Sequence, residues 1–165
     1  MKNLALAQHL GLDTINYNNV IYINVTLEDF NEQSGSNYQS IEEVEEDNKP
    51  FLSWLEDNAL LLEDELTQST YNENLFEYGS EEYLVVTDDE ADELWDEDLE
   101  NYIEECILPE LNERYQQYFD NEAWKVDARY DGRGHSLNRY DGNEDEETVY
   151  NENGVKETYY IYRQN

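Results

Sequence analysis

Cations are scarce in this chain. Nine Lys and Arg stand against 42 Asp and Glu in 165 residues, a formal net charge of −33. So few basic residues leave no footprint for displacing counterions from a nucleic-acid backbone, and anionic membranes are disfavoured for the same reason. Cysteine is limited to Cys106, which excludes an internal disulfide. No apolar run approaches the length of a membrane span. Met1–Leu12 is short and polar-interrupted, unlike a secretion signal, so a cytoplasmic protein is expected. The chain has no P-loop, G-x-G-x-x-G, C-x-x-C or H-E-x-x-H motif, and no cofactor is expected.

Aromatic residues are plentiful: 15 Tyr, 4 Phe and 3 Trp. They supply enough apolar area for a packed core despite the charge. The charge is unevenly spread. Residues 28–113 hold 30 acids and one base, Lys49, whereas residues 114–165 hold 11 acids and seven bases. The expected fold is α+β, with helices packed on a small antiparallel sheet and an acidic, elongated surface. It would form one domain, or two lobes divided between residues 87 and 88.

The acidic block centres on Thr87–Cys106. Thr87 and Glu90 have the spacing of a capping box, and Asp88, Asp89 and Glu90 suit the positive end of the helix dipole. Ala91, Leu94, Trp95, Leu99, Tyr102, Ile103 and Cys106 recur at helical spacing and predict one apolar stripe. That stripe would bury Cys106 as a reduced thiol. Pro109 predicts the stop. The opposite face carries Asp89, Glu93, Asp96, Glu97, Glu100 and Glu104. Eleven acids and no base lie between residues 88 and 106, roughly one charge per 2.6 Å of helix axis. DNA carries one per about 3.4 Å on each strand and about 1.7 Å on both. The helix is therefore a candidate phosphate mimic, weighed against an ordinary solvated helix face.

Elsewhere, Lys2–Leu10 predicts a helix closed by Gly11, and Val20–Val25 a strand. Residues 31–39 predict a polar loop and Ser40–Glu46 a helical turn. Pro50 falls at the first position of a helix whose stripe runs Phe51, Leu52, Leu55, Ala59, Leu62 and Leu66. Tyr71–Tyr78 reads as a turn, then extended chain. Glu82–Thr87 reads as a strand, Glu113–Phe119 as a short helix, and Asn121–Arg129 as a second helix capped by Asp120. Asp131–Gly134 predicts a turn and Tyr140–Glu147 a loop. Asn153-Gly154 predicts a type I′ hairpin between Thr148–Tyr150 and Thr158–Arg163.

The run Tyr102-Ile103-Glu104-Glu105, followed by Tyr118-Phe119-Asp120-Asn121-Glu122-Ala123-Trp124, resembles the C-terminal part of the ArdA-type antirestriction proteins. The likeness covers roughly residues 100–132. It implies an elongated, dimeric acidic protein of phages or mobile elements, working in the host cytoplasm. Such proteins present carboxylates like DNA phosphates and occupy the DNA groove of type I restriction–modification enzymes.

The expected function is thus stoichiometric inhibition of a DNA-binding defence enzyme, without catalysis by this chain. The expected partner is a basic DNA-binding protein of the host, and a homodimer is implied. The partner-binding set is Asp89, Glu93, Asp96, Glu97, Glu100 and Glu104, supported by Glu42, Glu43, Glu45, Glu46, Glu56, Glu63 and Asp64. The alternatives are another DNA-binding target such as a CRISPR effector or nucleoid protein, an acidic soluble protein with no mimicry, and a carboxylate-site enzyme. Asp141–Glu152 has calcium-loop spacing at Asp141, Asn143, Asp145 and Glu152 but Glu146 where glycine is needed, so a solvated loop without metal is expected. His135 near Asp131 suggests an acid–base pair, yet no nucleophile motif accompanies it. Arg129, Arg133 and Arg139 read as cross-links to acids in preference to an anion site.

Overall fold

The computed structural model describes all 165 residues. The chain is α+β, with eight α-helices and two antiparallel sheets, of three and five strands. It divides into two compact units, Met1–Ser80 and Glu81–Asn165.

In the first unit α1 (Lys2–His9) is followed by Gly11 at φ 68°. Gly11 N–H donates to the Gln8 carbonyl and Leu12 N–H to that of Ala7, the paired closure that a left-handed residue permits. Strands β1 (Thr14–Tyr17) and β2 (Val20–Ile23) pair with Tyr17 opposite Val20. The two residues between them, Asn18 and Asn19, both have positive φ, at 53° and 63°. A type I′ turn needs this, and Asn tolerates it. Helix α2 (Leu27–Ser34) takes the first four residues of the loop expected at residues 31–39. Its capping box is Thr26 with Asp29: Asp29 N–H donates to Thr26 Oγ1 at 3.2 Å, and Thr26 N–H to the Asp29 carboxylate at 2.8 Å. Residues Ile41–Glu43 form a 3-10 turn that leaves Val44 buried.

Helix α3 (Lys49–Asn58) starts one residue earlier than expected, which puts Pro50 at its second position. The stripe expected to run to Leu66 breaks at Asn58. Asn58 Nδ2 donates to the Trp54 carbonyl at 2.8 Å, and Ala59 turns extended. The next residues, β3 (Leu60–Leu61), pair with Ile23 and Tyr22 of β2. One helical turn, α4 (Leu62–Glu65), leads into β4 (Leu66–Gln68), which pairs with β5 (Leu75–Tyr78). An open strand edge thus takes residues that periodicity alone assigns to a helix. The core here is aromatic. Phe51 meets Tyr17 and Phe30 edge-on at 4.9 and 4.8 Å between centroids, and Trp54 donates to Gln33 Oε1 at 3.0 Å.

The second unit begins with β6 (Glu81–Val86), which the sequence pattern assigns to the first lobe. It pairs from Tyr83–Arg163 to Val86–Tyr160 with β8 (Lys156–Arg163), and β8 pairs with β7 (Asp145–Tyr150). Helix α5 (Asp88–Tyr102) follows β6 through Thr87, and its capping box with Glu90 is formed on both sides. The helix does not stop cleanly. It passes into a π-helical turn at Ile103–Ile107 and a 3-10 turn at Leu108–Glu110. A π turn inserts a residue and rotates the side chains after it. Cys106 is therefore exposed, which corrects the buried thiol expected from straight periodicity, while Ile103 is fully buried.

Helices α6 (Glu113–Gln116) and α7 (Asn121–Ala128) come next, with Asp120 accepting the Ala123 N–H as the cap of α7. The turn expected at Asp131–Gly134 becomes a helix start, α8 (Arg133–Leu137). Gly134 lets α8 approach the loop after it: a Cβ there would lie 2.4 Å from the Gly142 carbonyl oxygen. The hairpin between β7 and β8 is not type I′. Only Gly154 has positive φ, and Gly154 N–H donates to Asn151 C=O while Asn151 N–H donates to Val155 C=O. This is a three-residue loop ending in a glycine bulge. Half of Asp141–Glu152 lies in β7, where side chains alternate between faces instead of converging on one point.

Candidate functional site

The acids of α5 sort into two rows. Asp88, Asp92, Asp96 and Glu100 succeed one another every four residues along one face. They are met by Lys125, Arg129 and Arg133, which have the same four-residue spacing across α7, the 3-10 turn at Arg129–Asp131 and α8. Arg133 binds Asp88 at 2.7 Å and Asp92 at 2.9 Å, and also Glu144 at 2.9 Å. Arg129 binds Asp96. Lys125 binds Glu100 at 2.7 Å and Asp96 at 3.1 Å. Lys125 is 3% exposed, so its ammonium sits where water cannot replace these partners.

Electrostatics are set by this geometry. Hydrogen bonds from Lys125 and Asn121 hold the Glu100 carboxyl below the usual range for glutamate. The Glu100 bond in turn raises Lys125 against the opposing effect of burial. Burial works against the Arg133 charge, but hydrogen bonds to Glu144 and Asp88 outweigh it and hold the guanidinium more firmly protonated.

Two residues of the expected partner-binding set, Asp96 and Glu100, are part-exposed and are ion-paired within the unit, Asp96 to Lys125 and Arg129 and Glu100 to Lys125. No base within α5 answers them; the answer comes from α7 and its continuation. Arg129 and Arg133 are accordingly internal cross-links. The sequence carried a signal for this in the matching four-residue periods of 88, 92, 96, 100 and of 125, 129, 133.

The second row is open. Asp89, Glu93, Glu97 and Glu104 are exposed and make no ion pair, and Asp98 and Glu105 beside them are exposed as well. In the first unit Glu42, Glu43, Glu45, Glu46, Glu56, Glu63 and Asp64 are all exposed. Glu43 accepts the Gln39 N–H at 2.8 Å. The backbone N–H of Glu42 and the Ser40 hydroxyl hold the Glu42 carboxyl below its usual range.

A cavity of about 380 Å³ opens between α5, α7 and α8. Asp98, Leu99, Tyr102, Trp124, Ala128, Asp131, His135 and Ser136 line it. The Tyr102 and Trp124 rings stack with centroids 5.6 Å apart and planes 10° from parallel. His135 and Asp131 share this cavity, and Ser136 joins them. No hydrogen bond links the three, however. Neighbouring helical residues such as His135 and Ser136 point about 100° apart, and the base-to-nucleophile bond of nucleophilic catalysis is not formed. No group of three or more His, Cys, Asp or Glu is arranged to hold a metal ion, and no helix is long and apolar enough to cross a membrane.

Sequence reasoning missed this cavity because Tyr102 and Trp124 lie 22 positions apart on different helices, and periodicity assigned Tyr102 to the core. No family model matches the chain, and neither does any curated protein or solved structure.

Proposed function

We propose that this chain is a DNA mimic that inhibits a DNA-binding defence enzyme, with a type I restriction–modification complex as the target. The observation that carries the reading is the open row of α5. After subtraction of the paired carboxylates and of Glu90, which caps the helix, six exposed acids remain between residues 89 and 105. That is about one charge per 4 Å of axis, close to the spacing of about 3.4 Å on a single DNA strand. Opposite them, three cations have been taken out of circulation by the inner row. Lys and Arg side chains that grip phosphates in the target pair with Asp89, Glu93, Glu97 and Glu104, and the exposed acids of the first unit add to the attraction. The likeness of residues 100–132 to ArdA-type proteins points to the same class of target. Binding of this kind is fast and steered by charge.

The test is a titration of a type I restriction complex cleaving or translocating DNA. Inhibition should reach an end point near one protein, or one dimer, per DNA site, and excess DNA should compete. Inhibition far below equimolar amounts would mean catalysis. If the same titration leaves the restriction complex untouched but blocks a CRISPR effector or strips a nucleoid protein from DNA, the mode of action stands and the target changes. If no DNA-binding protein responds, the acids serve solvation alone.

A further inference from the structure

Three arginines of the second unit are seated in the same way. Arg129 lies over the Trp95 ring at 5.8 Å and binds Asp96. Arg133 lies over Tyr160 at 4.5 Å and binds Asp88, Asp92 and Glu144. Arg163 lies over Tyr140 at 3.9 Å and binds Glu81. In each case the guanidinium lies over an aromatic ring while a carboxylate accepts from its N–H groups, the two modes of recognition for which a planar cation is suited.

The cavity between α5, α7 and α8 brings the same groups together. Tyr102 and Trp124 provide a stacked aromatic wall, and Asp98 and Asp131 stand at its margin. No Lys or Arg of this chain lines it. Neither carboxylate forms an ion pair, because Lys125, Arg129 and Arg133 are committed to the inner row of α5. Tyr102 remains 52% exposed although it stacks on Trp124, so part of its ring is open to a ligand. At about 380 Å³ the space lies near the lower end of the roughly 300–1,000 Å³ spanned by small-ligand sites. We infer that this cavity is a receptor for one guanidinium side chain, an arginine presented by the partner protein.

The guanidinium stacks against the Tyr102–Trp124 wall while Asp98 and Asp131 accept its N–H groups. Tyr102 is the last residue of α5 before the π-helical turn and is 52% exposed, outside the core. The site converts a diffuse charge attraction into one with a fixed orientation. The biological origin of that arginine rests on the mimicry reading. The binding chemistry does not, so the experiment uses the whole protein alone with a small ligand.

The ligand is N-acetyl-arginine-amide, monitored by amide NMR and the Trp124 indole N–H signal. The neutral isostere N-acetyl-citrulline-amide and N-acetyl-lysine-amide serve as comparisons. The expected result is saturable shifts at Trp124 and around Asp98, Asp131 and Tyr102, weaker with lysine and absent with citrulline. The double variant Asp98→Asn, Asp131→Asn keeps the shape of two exposed side chains and should bind arginine at least about tenfold more weakly. Trp124→Leu tests the wall separately, with circular dichroism to confirm folding. The inference is wrong if the shifts spread evenly over all acidic faces, if citrulline matches arginine, or if the folded Asn variant binds as the parent does. Failure to inhibit any DNA-binding protein, with arginine binding intact, would sink the mimicry reading and leave the receptor standing.

Discussion

Glu100 lies between charges of opposite sign, with Asp96 one turn before it and the Lys125 ammonium 2.7 Å away. The ammonium prevails, and the Glu100 carboxyl is held below its ordinary value. A carboxyl whose folded value is depressed adds stability above its unfolded value, near 4.5, and loses it as pH falls through the lower folded value. The variant Glu100→Gln should therefore be less stable than the parent at pH 7. The gap should narrow as pH drops below about 4 and close once the parent carboxyl is protonated. Urea unfolding across that range checks this, and a constant gap would mean that Glu100 acts through packing alone. In the sequence the role of Glu100 was signalled only by the matching four-residue periods of 88, 92, 96, 100 and of 125, 129, 133. On a helical wheel it shares a face with Glu93 and Glu97, and the position of α7 decides which of them is paired.

At the scale of the element, α5 is a helix with two acidic edges and opposite needs. Replacing Glu93, Glu97 and Glu104 by Gln removes like-charge neighbours, each such pair costing about 0.2–0.5 kcal/mol. The triple variant should keep its fold, melt slightly higher and inhibit its target progressively less as each charge goes. Asp96→Asn should behave in the reverse sense. Lys125 and Arg129 lose a shared partner, at a cost of about 1–2 kcal/mol once solvent screening of the half-exposed carboxylate is allowed for, while the open row is untouched. Melting curves beside inhibition titrations separate the two. If folded Asp96→Asn lost as much inhibition as the triple variant, the rows would not be distinct in function. The start of this helix was readable from Thr87 and Glu90 because a capping box is local. Its end was not, because the π turn at Ile103–Ile107 depends on where Ile103 must be buried. The two hairpins make a similar contrast. Asn-Gly is a strong type I′ signal, yet the type I′ turn sits at Asn18-Asn19, where the register leaves two residues between strands. The Asn153-Gly154 hairpin, whose register leaves room for a longer loop, closes with a bulge.

For the whole molecule, a net charge of −33 makes salt a lever with two opposite effects. Self-repulsion opposes folding, so the melting temperature at neutral pH should rise as salt goes from low concentration to about 0.5 M, where the Debye length is only a few Å. Affinity for a basic partner should fall by orders of magnitude between about 50 and 300 mM salt, by analogy with protein–DNA contacts. The two measurements on one sample, rising stability with falling affinity, are the combined signature of a charge-based inhibitor. A flat melting temperature would show that the inner ion pairs already balance the repulsion. A flat affinity would show that an apolar interface dominates.

The sequence by itself determined the class of the molecule and its local signals. The α+β alternation, the capped start of α5 and the Asp120 cap of α7 all come from composition or from residues a few positions apart. Tertiary structure decided the rest, for one physical reason: an acid is free or spent according to the groups that pack beside it. Asp96 and Glu93 are equally acidic, on the same helix and three residues apart. One faces Lys125 and Arg129 and the other faces water, and only the placement of α7 against α5 tells them apart. The same packing set Trp124 against Tyr102, so that a residue whose spacing assigned it to the core became a wall of the cavity.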